Sequence, residues 1–242
     1  MAETGFIDKN KSEDNITVSK EDVIKFLNTV DLKGYQSIDL PFKLKTPGMD
    51  RSKSADIVFK HSIKEKSVLD IGCKYGYFCH EALIKGASTV KGIDISDTNV
   101  EIAKKIVELW DRDIEIFEKD FLDTDFNEKF DVILLLNVLH HIISPVAVMK
   151  KISKQTNELA IIEFPTILDS HTGLSMRKKI IYKLFLKSLP LIYLGDQKYH
   201  RLWYFSEPAF NNLVIDQLSL FSQVEFVTSP RKKGRTIAFC WK

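Results

Sequence analysis

Two groups of residues in this chain have the types and spacing to do chemistry. The first is a glycine turn flanked by acids, Asp70-Ile71-Gly72-Cys73-Lys74-Tyr75-Gly76, with Asp94 further on. Glycine lets a backbone come close to a ligand, and a helix N-terminus after the turn presents unpaired N–H groups. An acid about 20 residues beyond such a turn is placed to accept hydrogen bonds from ribose hydroxyls. The second group is polar and closes an apolar run: Asn137, His140 and His141, with Glu163 later in the chain. Histidine is the usual side chain for moving a proton near neutral pH. His140 is the expected base or orienting group, and Glu163 is a second candidate. The alternative for the pair of histidines, that they cap a strand or bond locally, stays open.

These residues need elements to hold them. Val68-Leu69-Asp70-Ile71 is an apolar strand pattern, Tyr77 to Lys85 has helical spacing and stops at Gly86, and Val90 to Ile95 is a second strand. Strand, glycine turn, helix and strand make a βαβ unit with a ligand crevice at its first turn. A helix is expected over 97–110 and a strand over 114–118, ending before Asp120-Phe121. The run Phe130 to Leu136 reads as a strand buried on both faces of a parallel sheet. A helix over 144–154, a strand over 159–164 ended by Pro165, and a final pair at 224–227 and 236–241 complete seven strands.

At the turn Asp70-Ile71-Gly72-Cys73-x-x-Gly76, at Asp94, at Asp120-Phe121 and at Phe130-Asp131-apolar-Asn137-Val138-Leu139-His140-His141, the chain resembles the class I S-adenosylmethionine-dependent methyltransferases. The resemblance implies a Rossmann-like α/β fold: a mainly parallel seven-stranded sheet, helices on both faces, and a helical and aromatic lid. It implies S-adenosylmethionine as cofactor, held by Asp70, Gly72, Cys73, Gly76, Asp94, Ile95, Asp120, Phe121 and Asn137. Lys74 stands where many members have another glycine, and is expected to point outward. Dehydrogenases use G-x-G-x-x-G, and this chain has G-x-x-x-G. More narrowly, Tyr35 to Asp50 and Val138 to Pro145 are similar to the wobble-uridine tRNA methyltransferase-like group, some of whose members transfer a carboxymethyl group. Those members carry tyrosine where this chain has His140.

Residues 1–65 are expected to form an N-terminal arm and covering helices, with a helix from Lys20 to about Val30. Residues 66–242 form the core, with a lid insert at about 166–206. Arg51 is placed either to meet a cofactor carboxylate or an anionic substrate, or to be a solvated charge at a helix start. In the insert, Arg177 to Leu189 is a basic amphipathic helical pattern, and Tyr199 to Phe205 is dense in aromatics. His200, Arg201 and Tyr204 are expected to reach over the acceptor. The insert is expected to pack on its own domain as a lid, with peripheral membrane contact through 177–194 as the alternative.

Composition narrows the classes. Of 242 residues, 35 are Lys or Arg and 33 Asp or Glu, so whole-chain charge favours no broad nucleic-acid footprint. Three scattered cysteines and no zinc spacing argue against a metal site and suit a reducing, cytoplasmic setting. No apolar signal core opens the chain, and no apolar run has the length of a transmembrane helix. The expected activity is O-methylation of a small molecule or of a sugar or glycan intermediate in biosynthesis. The alternatives are tRNA modification, or methylation of a lipid-linked substrate at a membrane surface. The oligomeric state does not follow from the sequence.

Overall fold

Capping chemistry starts the fold. In the computed structural model, which describes residues 17–32, 34–195 and 203–242, Ser19 caps helix α1 (Lys20–Thr29). Its hydroxyl accepts from Asp22 N, and the Asp22 carboxylate accepts from Ser19 N at 3.1 Å. Strands β1 (Asp39–Leu40) and β2 (Leu44–Lys45) pair as a small antiparallel hairpin, and α2 (Ser52–Val58) follows.

The alternating segment then runs β3 (Ser67–Ile71), α3 (Tyr77–Ile84), β4 (Thr89–Asp94), α4 (Asp97–Trp110), β5 (Glu115–Glu118), β6 (Phe130–Leu136), α5 (Pro145–Gln155) and β7 (Thr156–Pro165). The insert carries α6 (Met176–Ile181), which continues as π-helix through Leu186, and the strands β8 (Ile192–Leu194) and β9 (Trp203–Phe205). Helix α7 (Glu207–Asn211), extended as π-helix to Gln217, leads to β10 (Gln223–Thr228) and β11 (Arg235–Trp241).

The seven-stranded sheet has the order β10-β11-β7-β6-β3-β4-β5. β7, β6, β3, β4 and β5 are parallel neighbours, whereas β10/β11 and β11/β7 are antiparallel. Chain order reverses at β3 and β6. That is the switch point where open α/β sheets bind ligands beyond the carboxyl ends of their strands.

Strand periodicity divides the core into two faces. Val68, Val132, Leu134, Leu136 and Ile161 pack with α1, α3 and α4 residues such as Phe26, Phe78 and Ile106. Leu69, Ile133, Leu135, Ile162 and Phe164 pack on the other face with Val148 and Ile152 of α5 and Phe210 of α7. Burying each such side chain contributes about 1.5–3 kcal/mol. Both faces being covered explains why β6 reads as an unbroken apolar run.

The expected core elements fall within a few residues of the observed ones. The 166–206 segment differs more. It contains a two-stranded antiparallel sheet, Ile192↔Phe205 to Leu194↔Trp203, which helical spacing did not anticipate. The helix α7 was also missed, because its polar residues hide a buried Ala209-Phe210 pair.

Candidate functional site

The turn after β3 is built by backbone geometry. Gly72 N and Cys73 N both donate to Ile93 O, at 2.8 and 3.0 Å, which ties the turn to β4. Gly72 has φ +73°, and a Cβ there would stand 2.5 Å from Cγ2 of Val138. Gly76, φ +81°, opens α3. Lys74 also lies in the left-handed region, φ 54°, which explains why glycine suits this position. Its side chain does not point outward. Its Nζ lies 3.7 Å from the centroid of the Tyr35 ring, at the wall of a cavity.

Two variants separate these roles. Gly72→Ala is expected to lower stability by at least about 1–2 kcal/mol, from the positive φ alone, with the Val138 contact adding to it. Lys74→Gly is expected to change stability by less than about 1 kcal/mol, because relief of φ offsets the added freedom of the unfolded chain. Denaturant midpoints measure both.

The cavity, about 770 Å³, sits over the carboxyl ends of β3, β4 and β6. It is large enough for a nucleoside-type ligand together with a small second one. Asp70, Ile71, Gly72, Cys73, Asp94, Ile95, Asp120, Phe121 and Asn137 all line it. Gly76 does not; it shapes the turn from behind. Tyr35, Asn99, Lys119 and the loop 142–144 also line it and were not anticipated.

Asp94 is held rigidly. Its Oδ1 accepts from Ser96 N at 3.0 Å and Asn99 Nδ2 at 3.1 Å, and its Oδ2 accepts from Lys74 N at 2.9 Å. A carboxylate offers about four acceptor sites, so Oδ2 keeps capacity for a hydroxyl in the cavity. The signal for Asn99 was its place three residues after the α4 cap Ser96.

Asp70 is buried, with the Cys79 thiol 3.7 Å from its Oδ2. Burial pushes its carboxyl up to about 7, against the cysteine hydrogen bond, and the charge of Asp94 adds to the rise. The folded chain therefore holds a proton that the unfolded chain loses near pH 3.8, so stability from this group falls as pH rises between those values. A cationic ligand beside Asp70 favours the ionised form. Its affinity should rise with pH, by up to about tenfold per unit, until about pH 7, with proton release on binding below that pH. Calorimetry in buffers of different ionisation enthalpy checks this, and Asp70→Asn should abolish the pH dependence.

Arg51 is not a solvated charge. It is only 2% exposed and lines the cavity. Its guanidinium stacks 5.6 Å from the Phe78 ring centroid, and its Nη2 is 3.5 Å from the Glu163 carboxylate. Nε and Nη2, one edge of the guanidinium, make no hydrogen bond. Such an edge is shaped for bidentate recognition of a carboxylate. These observations suit S-adenosylmethionine. Asp94 would take a ribose hydroxyl, Asp120 and Phe121 the adenine end, Asp70 the cationic methionine portion, and the Arg51 edge its carboxylate.

The structure separates the proposed proton carriers. His141 lines the cavity. His140 is 1% exposed and stacks behind it, with ring centroids 4.1 Å apart. The expectation that His140 faces the acceptor is therefore corrected: the 3₁₀ turn 139–141 that ends the apolar run turns His140 inward. Glu163 is also buried behind the wall. It accepts from Asn137 Nδ2 and, at 2.5 Å, from the Ser229 hydroxyl. Asn137 has φ 63° and also accepts from Arg235 Nη1. Arg235 Nε in turn donates to Asp169 at 3.1 Å. Arg51, Glu163, Asn137, Arg235 and Asp169 thus form one buried network with balanced formal charge. Burial raises the Asp169 carboxyl, but hydrogen bonds from His171 and the nearby Arg235 bring it below its ordinary value.

Tyr204 is not over the cavity. It is fully buried, and its hydroxyl donates to His171 O at 3.0 Å, because strand alternation turns it inward between Trp203 and Phe205. His200 and Arg201 lie outside the described residues. The insert reaches the site through Trp203, whose Nε1 donates to Ile142 O at 2.9 Å. No group of three or more metal-type ligands occurs among the described residues.

A family model described as a methyltransferase domain matches residues 51–217. A tRNA U34 carboxymethyltransferase of Helicobacter acinonychis is 33% identical over 93 residues, covering 37% of this chain and 36% of that protein. A ubiquinone biosynthesis O-methyltransferase of Coxiella burnetii is 33% identical over 96 residues, covering 37% and 38% respectively. The matches thus span little more than a third of these curated relatives. Among solved structures, magnesium protoporphyrin IX methyltransferase from Synechocystis PCC 6803 with bound SAH superposes with TM-score 0.55 at 22% identity, covering 79% of this chain and 80% of that one. The N-terminal domain of EvdMO1, in the presence of SAH and D-fucose, gives TM-score 0.64 at 12% identity, covering 93% and 97%. At these identities the likeness is one of fold.

Proposed function

The chain belongs to the methyltransferase-domain family, which its match over residues 51–217 shows, and we propose that it transfers a methyl group from S-adenosylmethionine to an oxygen of a small-molecule or sugar-type acceptor. The observation that carries this reading is the one cavity whose lining brings together Asp94, Asp70, Arg51 and His141. The cofactor supplies, when bound, an electrophilic methyl group on a sulfonium. The chain's own residues bind, orient and exclude water. Asp94 and Asp120 present acceptors at the rim. Arg51 and Asp70 present opposite charges deeper in the wall, which fixes the direction in which a zwitterionic ligand lies.

His141, which lines the cavity, takes the proton from an acceptor hydroxyl in this reading. His140 backs its ring and is a positioning residue. Alignment of nucleophile and methyl group carries much of the acceleration in such a displacement. Tyr35, Lys119 and Ile143 of the cavity wall are the side chains available to select the acceptor.

The curated relatives differ by name, one a tRNA U34 carboxymethyltransferase and the other an O-methyltransferase of ubiquinone biosynthesis. The cavity volume and the near-balance of charge support the small acceptor. Incubation with methyl-labelled S-adenosylmethionine and fractionated cell extract tests the reading. Label in the small-molecule or glycan fraction is expected. Label in tRNA, with tight and steeply salt-dependent tRNA binding, would replace it by the RNA reading.

A further inference from the structure

From Ser170 to Leu194 the sequence holds no aspartate or glutamate, and it carries Arg177, Lys178, Lys179, Lys183 and Lys187. The helix in this stretch turns little of itself inward. Tyr182 is buried, Leu186 packs beside it, and Lys179 Nζ donates to Asp169 O at 2.7 Å. The remaining large apolar side chains face solvent: Met176 at 73%, Leu184 at 67% and Phe185 at 73% exposure, with Ile180, Ile181 and Leu189 also exposed. Met176, Ile180 and Leu184 follow one i, i+4 row, and Ile181 and Phe185 the next, so they form one face, with Leu189 exposed just beyond the helix. Ile192 and Leu194 of β8 extend the exposed apolar surface towards Trp203, and so towards the Ile142 loop at the cavity mouth.

A soluble chain rarely leaves so many large apolar side chains uncovered in one segment. Two features of the surroundings identify the complement. The cations are interleaved with the apolar row, and the nearby carboxylates are engaged. Asp169 is fully buried against Arg235, and Glu207 accepts from the Thr236 hydroxyl at 3.0 Å. No helix among the described residues is long and apolar enough to cross a membrane. An interfacial helix needs no such length: it lies in the headgroup plane with its apolar side chains inserted and its cations on anionic lipid.

We propose that the face formed by Met176, Ile180, Ile181, Leu184 and Phe185, with Lys178, Lys183 and Lys187, docks on the surface of an anionic phospholipid bilayer. The inference is independent of the acceptor's chemistry. The insert packs on its own domain through Tyr182, Leu186, Leu191, Tyr204 and Phe205, and the proposal concerns the side of the helix that this packing leaves exposed. Docking sets the cavity mouth beside the headgroup layer, through β8, β9 and Ile142.

Co-sedimentation of the full chain with phospholipid vesicles tests it. Binding to vesicles of phosphatidylcholine with phosphatidylglycerol, weak binding to phosphatidylcholine alone, and weakening with salt are expected. The triple variant Lys178→Gln, Lys183→Gln, Lys187→Gln should lower partitioning roughly 100-fold. The double variant Leu184→Glu, Phe185→Glu should abolish binding while its thermal unfolding stays that of the parent, since both side chains are exposed. Absence of binding to the anionic vesicles overturns the proposal, as does equal binding by the double variant. Sedimentation of the lipid-free protein gives a third outcome. A dimer that the double variant dissolves would show that the face is covered by a second copy, and the proposal would fail.

Discussion

Arg235→Met should lower the stability of the fold by about 3–5 kcal/mol, the usual cost of removing one partner from a buried ion pair. The cause is the charge left behind. Asp169 is fully buried and loses its guanidinium partner, with His171 and the Lys232 charge still beside it, and Asn137 loses the guanidinium that its oxygen accepts from. Adding Asp169→Leu removes the orphaned charge and should restore part of the loss, with a coupling of about 0.5–3 kcal/mol. Denaturant midpoints at unchanged m-value read both effects. A loss below about 1 kcal/mol for the single variant would mean that water reaches Asp169 and that the network is not buried as described.

Asp94→Ala should weaken binding of S-adenosylmethionine or its demethylated product by roughly 10–100-fold, the worth of one charged hydrogen bond of about 1.5–3 kcal/mol. The variant also leaves Lys74 N and Ser96 N without their acceptor. Stability should therefore fall as well, by about 1–3 kcal/mol for each N–H that finds no water. Asp94→Asn keeps an acceptor oxygen and should lie between the two. Calorimetry at a temperature where the variants remain folded measures the affinity. Unchanged affinity in Asp94→Ala would sink the assignment of Asp94 to the ribose.

The parallel core was legible because its signals are local. A strand buried on both faces must be apolar throughout, as Phe130 to Leu136 is. A turn needing positive φ must hold glycine or accept strain, as Gly72, Lys74 and Gly76 show. Residues that line the cavity, Asp70, Gly72 and Asp94 among them, followed from that turn and from strand ends. What stayed hidden depends on partners distant in sequence. Arg51 reads equally as a ligand contact and as a solvated charge until Glu163 and Phe78 are seen beside it. His140 and His141 are adjacent, and only the 3₁₀ turn decides which one meets the cavity. Tyr204 sits in an aromatic run whose inward side is set by pairing with Tyr193 of β8. The exposed side of α6 has an amphipathic pattern that fits packing inward as well as outward, and the burial of Tyr182 alone settles which stripe is covered.

The wall behind the cavity joins Asn137 to Arg235 across 98 residues and Asp169 to Arg235 across 66. Both links, and the one from Ser229 to Glu163, wait on β11 inserting antiparallel between β7 and β10. Loop closure over such spans comes late in folding relative to the local βαβ units. The order of events then has a consequence for a growing chain on the ribosome. The turn at Gly72 and the strand carrying Asp94 can assemble early, and Asn137 can bond Glu163 once β6 pairs with β7, but Arg235 reaches Asn137 only when β11 inserts. Pulse-labelled hydrogen exchange during refolding should show the β3 and β4 amides protected first. The Asn137 amide, which donates to Glu163 O of β7, should follow with the pairing of β6 and β7, and the amides of β11 should come last. A nascent chain truncated before Arg235 should accordingly hold the sheet's parallel half and yet leave Asn137 and Asp169 without the guanidinium that joins them.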